Sequence, residues 1–367
     1  MNLFNFSIEL GFALPLLTFI TALAISYKCY PIIIKVSNLK NLMAEPNQRD
    51  VHSTKTPNLG GIGLFIAIYI VIIFLGSYLE FNFLLNLLGA IMAMFFIGLV
   101  DDLVGMRPKS KLIGQIVVAF SVILLTNLRI VSLYGLIGIY ELPYTVSVGL
   151  TVMFFITIIN AYNLIDGVDG LAGSFAITAN LFFAVFFYFT ANYFMCFLSI
   201  GVIGALISFL IFNFSNKNKI FMGDTGSMVL GFLLSYQALH ILSLDLNENF
   251  SIIFSKDFIY IIALFSFPLI DTIRVFFMRI KEGKSPFTAD NNHIHHNLLK
   301  NGFKHWEISA IASFFTIGVV FLVFLFNKFE INIMTSILAL AWLIAATTVK
   351  NLNLPFRSFK IYKRSFN

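Results

Sequence analysis

The chain has 367 residues, 59% of them hydrophobic and only 11% charged. Soluble domains carry about 25% charged residues, so a soluble globule is excluded and a polytopic membrane protein is indicated. The net charge of +6 includes a basic C-terminal stretch, 357–364, which reads as an anchor to anionic lipid headgroups, not as a nucleic-acid site.

Apolar runs of membrane-spanning length predict transmembrane helices over 11–27, 60–77, 83–100, 112–128, 144–159, 171–189, 194–212, 228–244, 258–276, 308–326 and 331–349, about eleven in all. The first run is preceded by Glu9 and by no Lys or Arg, so it reads as a true span and not as a removable signal peptide. The fourth carries Gln115 and Asn127. An odd number of spans puts the termini on opposite sides. With the N-terminus outside and the C-terminus cytoplasmic, all of the 24 Lys and Arg except Arg129, Lys256 and Lys328 fall at the inner face, as the positive-inside rule requires. The fold class expected is therefore an all-α, multi-pass helical bundle. Cys29 and Cys196 lie in or beside spans at opposite edges, so no structural disulfide is expected.

Asp101 and Asp102 stand together at the end of the apolar run 95–100. A carboxylate at a bilayer centre costs about 2.5 to 3.5 kcal/mol on insertion scales, so the pair requires an interface, a cation or both. Asp166 with Asp169, then Asp224, then Asp271 also sit close to the ends of apolar segments. On the topology above, Asp101, Asp102, Asp166, Asp169, Asp224 and the cluster His293, His295 and His296 all emerge on the cytoplasmic face, whereas the outer acids are scattered. Carboxylates gathered in one site raise one another's pKa unless a cation neutralises them. Hard oxygen ligands suit Mg²⁺, with Mn²⁺ as the alternative, and Mg²⁺ commonly shares its coordination with substrate phosphates.

The flanking residues extend that reading. Gly167, Gly170 and Gly173 allow a tight loop after Asn160 and Asn163. Gly223 and Gly226 flank Asp224 just before a helix, whose N-terminus offers free N–H groups to an anion. Lys55 and Lys111 stand at two further span starts, where they can clamp a diphosphate.

These residues occur in the order Lys-x-Pro-x-Leu-Gly-Gly from Lys55, Asp-Asp at Asp101, Asn-Ala-x-Asn-Leu-x-Asp-Gly-x-Asp-Gly-Leu-Ala from Asn160, Phe-Met-Gly-Asp-Thr-Gly-Ser from Phe221, Pro-x-x-Asp-Thr from Pro268 and His-Ile-His-His from His293. The series resembles the polyprenyl-phosphate N-acetylhexosamine-1-phosphate transferases, glycosyltransferase family 4. Within it, His-Ile-His-His is similar to the bacterial branch that uses UDP-GlcNAc and undecaprenyl phosphate.

The resemblance implies one transmembrane catalytic domain, 1–367, with cytoplasmic active-site loops near 34–59, 101–111, 160–170, 213–227 and 277–306. It implies transfer of a sugar 1-phosphate from a UDP-sugar, foremost UDP-GlcNAc, to undecaprenyl phosphate with release of UMP, in the bacterial inner membrane, as the first membrane step of a cell-envelope glycan. It further implies Mg²⁺ held by Asp224 and by Asp166 as a second candidate, Asp101 and Asp102 as catalytic carboxylates, and Asp101 as the group acting on the acceptor phosphate. By the same resemblance, Lys55, Asn160, Asn163, Asp166, Asp169 and Phe221 are expected to line the nucleotide and sugar site, and Lys111, His293, His295 and His296 to hold phosphate.

Other readings stay open at this stage. Asn297 follows the histidines where that branch often has a basic residue, so another UDP-N-acetylhexosamine is an alternative donor, as is UDP-MurNAc-pentapeptide. An intramembrane aspartyl protease is a distant alternative, since Gly223-Asp224 echoes part of its motif, and a transporter is another. Asp271 and Arg274, three apart on one helix, could form a local ion pair. A homodimer is neither required nor excluded.

Overall fold

The computed structural model describes residues 3–43, 56–244, 257–285 and 293–351. Among them run thirteen helices: α1 (Leu3–Lys40), α2 (Gly60–Tyr78), α3 (Leu84–Val104), α4 (Pro108–Thr126), α5 (Tyr144–Leu164), α6 (Leu171–Phe189), α7 (Tyr193–Asn213), α8 (Gly223–Leu242), α9 (Asp257–Leu264), α10 (Ser266–Lys281), α11 (Ile294–Lys300), α12 (His305–Leu325) and α13 (Ile331–Asn351). Ten are long and apolar enough to cross a membrane, and the pair α9 and α10, bent by 73°, supplies an eleventh if counted as one broken span. The multi-pass helical fold read from the sequence is the observed one.

The boundaries differ in instructive ways. α1 continues to Lys40 through Pro31, so the predicted loop from position 34 begins only after it. Asp101 and Asp102 lie inside the last turn of α3 and Asp224 inside the first turn of α8, not in the loops beside them. The ninth span is broken at Phe265. There Pro268 lacks an N–H only in the opening turn of α10, where none is needed, and Trp342 Nε1 of α13 donates to Ser266 Oγ at 2.8 Å. Between α4 and α5 a hairpin was not foreseen: β1 (Ser132–Leu136) pairs with β2 (Ile139–Glu141) across a two-residue turn in which Ile137 and Gly138 both have positive φ. Ile137 N donates to Asn332 Oδ1 at 2.9 Å, tying this hairpin to α13.

The centre of the bundle is its most polar span. α8 has a mean hydropathy of 1.3, the lowest of the ten, and yet Thr225, Ser227, Ser235 and Gln237 on it are wholly buried. Lipid offers no partner for such groups, so a helix that carries them is stable only inside protein. Gln237 Nε2 donates to Asn180 Oδ1 of α6 at 3.2 Å and to Ser199 Oγ of α7 at 2.7 Å, and Ser235 turns back to Gly231 O. Small residues then let neighbouring helices close on α8. A Cβ on Gly61 of α2 would stand 2.0 Å from Gly226 N, and one on Gly98 of α3 would stand 2.6 Å from Thr225 Cα. Helices α2 and α3 thus meet the first turn of α8 at backbone distance, which fixes the end of the bundle where the acidic residues gather. By contrast, α4 turns Ile113, Val117, Phe120, Leu124 and Leu125 outward, an apolar face suited to lipid.

Candidate active site

The segment 57–61 is stitched to the approach of α8 by backbone bonds: Phe221 N donates to Pro57 O at 2.8 Å, Gly60 N to Phe221 O at 2.9 Å and Gly61 N to Met222 O at 2.8 Å. The turn into α8 passes through Gly223 at φ +71°, where a Cβ would lie 2.0 Å from Asn58 O and 2.7 Å from Asp102 Oδ2. Only glycine accommodates both that dihedral and that approach. The result brings the Asp102 carboxylate against the open end of α8.

Asp102 is saturated by donors. Its Oδ1 accepts from Asp224 N at 2.9 Å and Asn58 Nδ2 at 3.3 Å, and its Oδ2 from Thr225 N at 2.8 Å and Thr225 Oγ1 at 2.5 Å. A carboxylate from α3 therefore caps α8, satisfying free N–H groups and meeting the positive end of the helix dipole. Its neighbour Asp101 faces elsewhere. Asp101 Oδ1 accepts from Met106 N at 2.7 Å, and Oδ2 lies 2.9 Å from Lys111 Nζ. The same ammonium lies 2.8 Å from Asp224 Oδ1. Asn163 Nδ2 also donates to Asp224 Oδ1 and reaches Ser227 Oγ at 2.7 Å. One lysine thus bridges two carboxylates from α3 and α8, and α5 supplies the amide that orients the second.

Asp166 sits in the loop after α5 and accepts no hydrogen bond from the described residues. Burial, and then the carboxylates of Asp224, Asp102 and Asp169, push its pKa well above the usual range. Such a group is stabilised in its charged form by a cation between it and its neighbours. The donor set therefore fits a hard divalent ion: Asp224 with half its carboxylate engaged, and an unpartnered Asp166 within electrostatic reach. Among the described residues no three His, Cys, Asp or Glu side chains converge to hold a metal by themselves.

A second polar cluster is built around Asp169. Its Oδ2 lies 2.6 Å from Lys219 Nζ and 2.8 Å from His305 Nδ1. The Lys219 ammonium also sits over the Phe221 ring, 5.4 Å from its centroid. Gly170, at φ +78°, turns the chain into α6, and its N donates to Asn213 Oδ1 at 2.6 Å. Burial pushes the Asp169 carboxyl up, but the bonds from His305 and Lys219 outweigh it and hold the carboxyl below its usual 3.8. A depressed carboxylate contributes stability that is present above its unfolded pKa and is lost as pH falls through the folded value. Lys219→Met should therefore melt below the wild type at pH 7, and the gap should close below about pH 4. Melting curves in detergent across that range check it; a gap independent of pH would mean that the pair carries no stability.

The histidines form a third cluster. His293 precedes α11, and the rings of His293 and His295 stack at 5.4 Å while those of His295 and His296 lie 4.4 Å apart. His295 is packed against the Asp166 loop: a Cβ on Gly167 would stand 2.7 Å from its Nε2. Burial pushes the His295 imidazole down to about 3, against the opposite pull of Asp271, with His296 and His293 adding to the fall. His295 is thus neutral at pH 7. Asp271 takes His293 Nδ1 at 2.8 Å and Ile294 N at 2.6 Å, so its carboxylate is directed to the histidine segment.

Of the residues singled out in the sequence, Asp101, Asp102, Lys111, Asn163 and Asp224 are in direct mutual contact, and Lys219 joins Asp169 to Phe221. Asn160 sits one turn back in α5, in a reciprocal amide pair with Gln115 of α4, at 2.7 and 3.4 Å. Lys55 lies outside the described residues. Sequence reasoning passed over Lys219, His305, Asn58 and Gln115, and Thr225 and Ser227 except as letters of a motif. Lys219 had a signal, two positions before Phe221; His305 had none, because its partner is far away in sequence.

Fold and site together define a multi-pass helical membrane protein with a carboxylate-rich polar site at one end of its bundle. Residues 84–242, which hold every acidic residue from Asp101 to Asp224, match the family model described as glycosyl transferase family 4. The chain is 30% identical over 327 residues to the decaprenyl-phosphate N-acetylglucosaminephosphotransferase of Mycobacterium tuberculosis strain H37Rv, covering 82% of this chain and 79% of the relative. It is 32% identical over 297 residues to a probable undecaprenyl-phosphate N-acetylglucosaminyl 1-phosphate transferase of Bacillus subtilis, covering 79% and 78%. It is 27% identical over 275 residues to the undecaprenyl-phosphate alpha-N-acetylglucosaminyl 1-phosphate transferase of Escherichia coli K12, covering 73% and 72%. The chain belongs to glycosyl transferase family 4.

Proposed function

We propose that this chain transfers GlcNAc-1-phosphate from UDP-GlcNAc to undecaprenyl phosphate, releasing UMP, with Mg²⁺ as cofactor, at the cytoplasmic face of a bacterial inner membrane. The observation that carries the reading is the Lys111 ammonium bridging Asp101 and Asp224 at 2.9 and 2.8 Å, beside an aromatic and carboxylate wall at Phe221 and Asp169. Phosphate chemistry needs such neutralisation, and a uridine needs a ring to stack on and an acceptor for its imide N–H. The names of the relatives support the donor and the acceptor. The orientation, with the N-terminus outside, follows from the placement of basic residues, and the reaction would open the synthesis of a cell-envelope glycan.

In this reading the displacement is in line. An oxygen of the acceptor phosphate forms a bond to the β-phosphorus, the bond from that phosphorus to the α,β-bridging oxygen breaks, and UMP leaves. A divalent cation held by Asp224 and Asp166 supplies charge neutralisation on the diphosphate when bound. Lys111 clamps phosphate oxygens from the α4 side. Asp101, held by Met106 N and Lys111, positions the acceptor phosphate. A phosphate monoester is already largely ionised at pH 7, so placement contributes more than proton removal. Asp102 keeps the first turn of α8, and with it Asp224, in register. Asn163 orients Asp224, Asp169 and Phe221 receive the uracil, and the histidine segment receives sugar and diphosphate oxygens.

Purified protein with Mg²⁺, undecaprenyl phosphate and a panel of radiolabelled UDP-sugars tests the assignment. Lipid-linked product from UDP-GlcNAc is expected, and no product with any sugar from folded protein would sink the enzyme reading. Phe221→Ala should raise KM for the UDP-sugar about 5- to 150-fold and leave kcat within a few-fold, since stacking on a base contributes about 1 to 3 kcal/mol. An unchanged KM would count against stacking.

A further inference from the structure

We propose that Asp271, buried in the second half of the broken span, is a positioning residue that presents His293 to the substrate diphosphate. This rests on the reading of the histidine segment as a diphosphate contact. The Asp271 side chain has no exposed surface, and a lone carboxylate in that setting requires partners. It has two, on adjacent residues more than twenty positions along the chain. Oδ1 accepts from Ile294 N at 2.6 Å, and Oδ2 lies 2.8 Å from His293 Nδ1.

The two bonds do different work. The bond from Ile294 N starts α11 and orders the backbone on which the histidines sit. The bond to His293 fixes a ring. A carboxylate only accepts, so Nδ1 carries the hydrogen and the tautomer is set. Nε2 is then the nitrogen left for substrate. Phosphate oxygens also only accept, so Nε2 must donate to them while Nδ1 donates to Asp271. An orienting carboxylate behind a working imidazole is a general device. His295 does not fill this role: it is neutral, its Nε2 abuts Gly167, and its Nδ1 is 3.9 Å from Asp271. His293 is therefore the member of the cluster that Asp271 orients, with His295 stacked against it and the His296 ring centroid 6.3 Å away.

The test is a double-mutant cycle on the full chain in detergent, reading the affinity of inorganic diphosphate with Mg²⁺ by calorimetry alongside turnover. Asp271→Asn keeps an oxygen for Ile294 N but turns an amide donor toward Nδ1, so the ring can no longer donate from both nitrogens at once. It should bind diphosphate about 10- to 100-fold more weakly, in line with losing one charge-assisted hydrogen bond, while its melting temperature stays close to wild type. His293→Gln should show a loss of the same size, and the double variant should lose no more than either single one. Asp271→Glu, which keeps charge and acceptors, should recover part of the loss, and it replaces Asp271→Asn in the cycle if that variant does not fold. Losses that multiply in the double variant, an Asp271→Asn protein with wild-type diphosphate affinity, or a wild type that does not bind diphosphate would each overturn the proposal. If the wild type binds diphosphate through this pair yet turns over no UDP-sugar, the proposed reaction fails and the Asp271–His293 device stands.

Discussion

Asp224→Asn is expected to reduce turnover by about a hundred- to a thousandfold, the scale on which preorganised electrostatic groups act at a reacting phosphate or oxyanion, with little change in folding. The geometry separates the two effects. Asp224 projects from the first turn of α8, and its Oδ1 takes Lys111 Nζ and Asn163 Nδ2. Asparagine preserves the volume and leaves an oxygen for one of these donors. Lys111 retains Asp101 at 2.9 Å, so no ammonium is stranded. What disappears is the negative charge that, with Asp166, favours a divalent cation. The decisive readout is independent of activity: Mg²⁺ should raise the melting temperature of the wild type and leave Asp224→Asn unmoved. A variant that retained both Mg²⁺-dependent stabilisation and turnover would exclude Asp224 as the metal ligand.

The spans were legible because bilayer thickness imposes a length on any apolar run, and the carboxylates because they interrupt such runs where charge is costly. What stayed hidden depends on pairing across the chain. Asp101 and Asp102 are the same letter in the sequence, yet one faces Lys111 and the other the backbone of α8. Which does which is decided by the side of α3 that carries Gly98 and meets the first turn of α8. Lys219 looks like any inner-face cation until it is found on Asp169. The break at Phe265 is marked only by Pro268, a residue that membrane helices also tolerate unbroken, as α1 does at Pro15 and Pro31. The hairpin lacks the Asn-Gly signal of its turn type, because Ile137 occupies the position.

The second large effect is structural, and it divides the aspartate pair. Asp102→Ala would leave Asp224 N, Thr225 N, Thr225 Oγ1 and Asn58 Nδ2 without their acceptor and remove the anion from the positive end of α8. Stripping the acceptor from this part-buried set of hydrogen bonds costs about 1 to 3 kcal/mol. The central helix of the bundle should therefore lose its anchorage at the end that carries Asp224, and melting temperature and turnover should fall together. Asp101→Ala should differ. Its Lys111 partner still has Asp224, and only Met106 N loses an acceptor, so the protein should fold and melt near wild type while turnover is lost. Asp102→Asn should fall between these, since one of its two acceptors becomes a donor facing Thr225 or Asp224 N–H groups. Melting curves of the three proteins, set beside their turnover with UDP-GlcNAc, decide the matter. If Asp102→Ala melted like wild type, the cap would not be what holds α8, and the two carboxylates would have to share the chemistry after all.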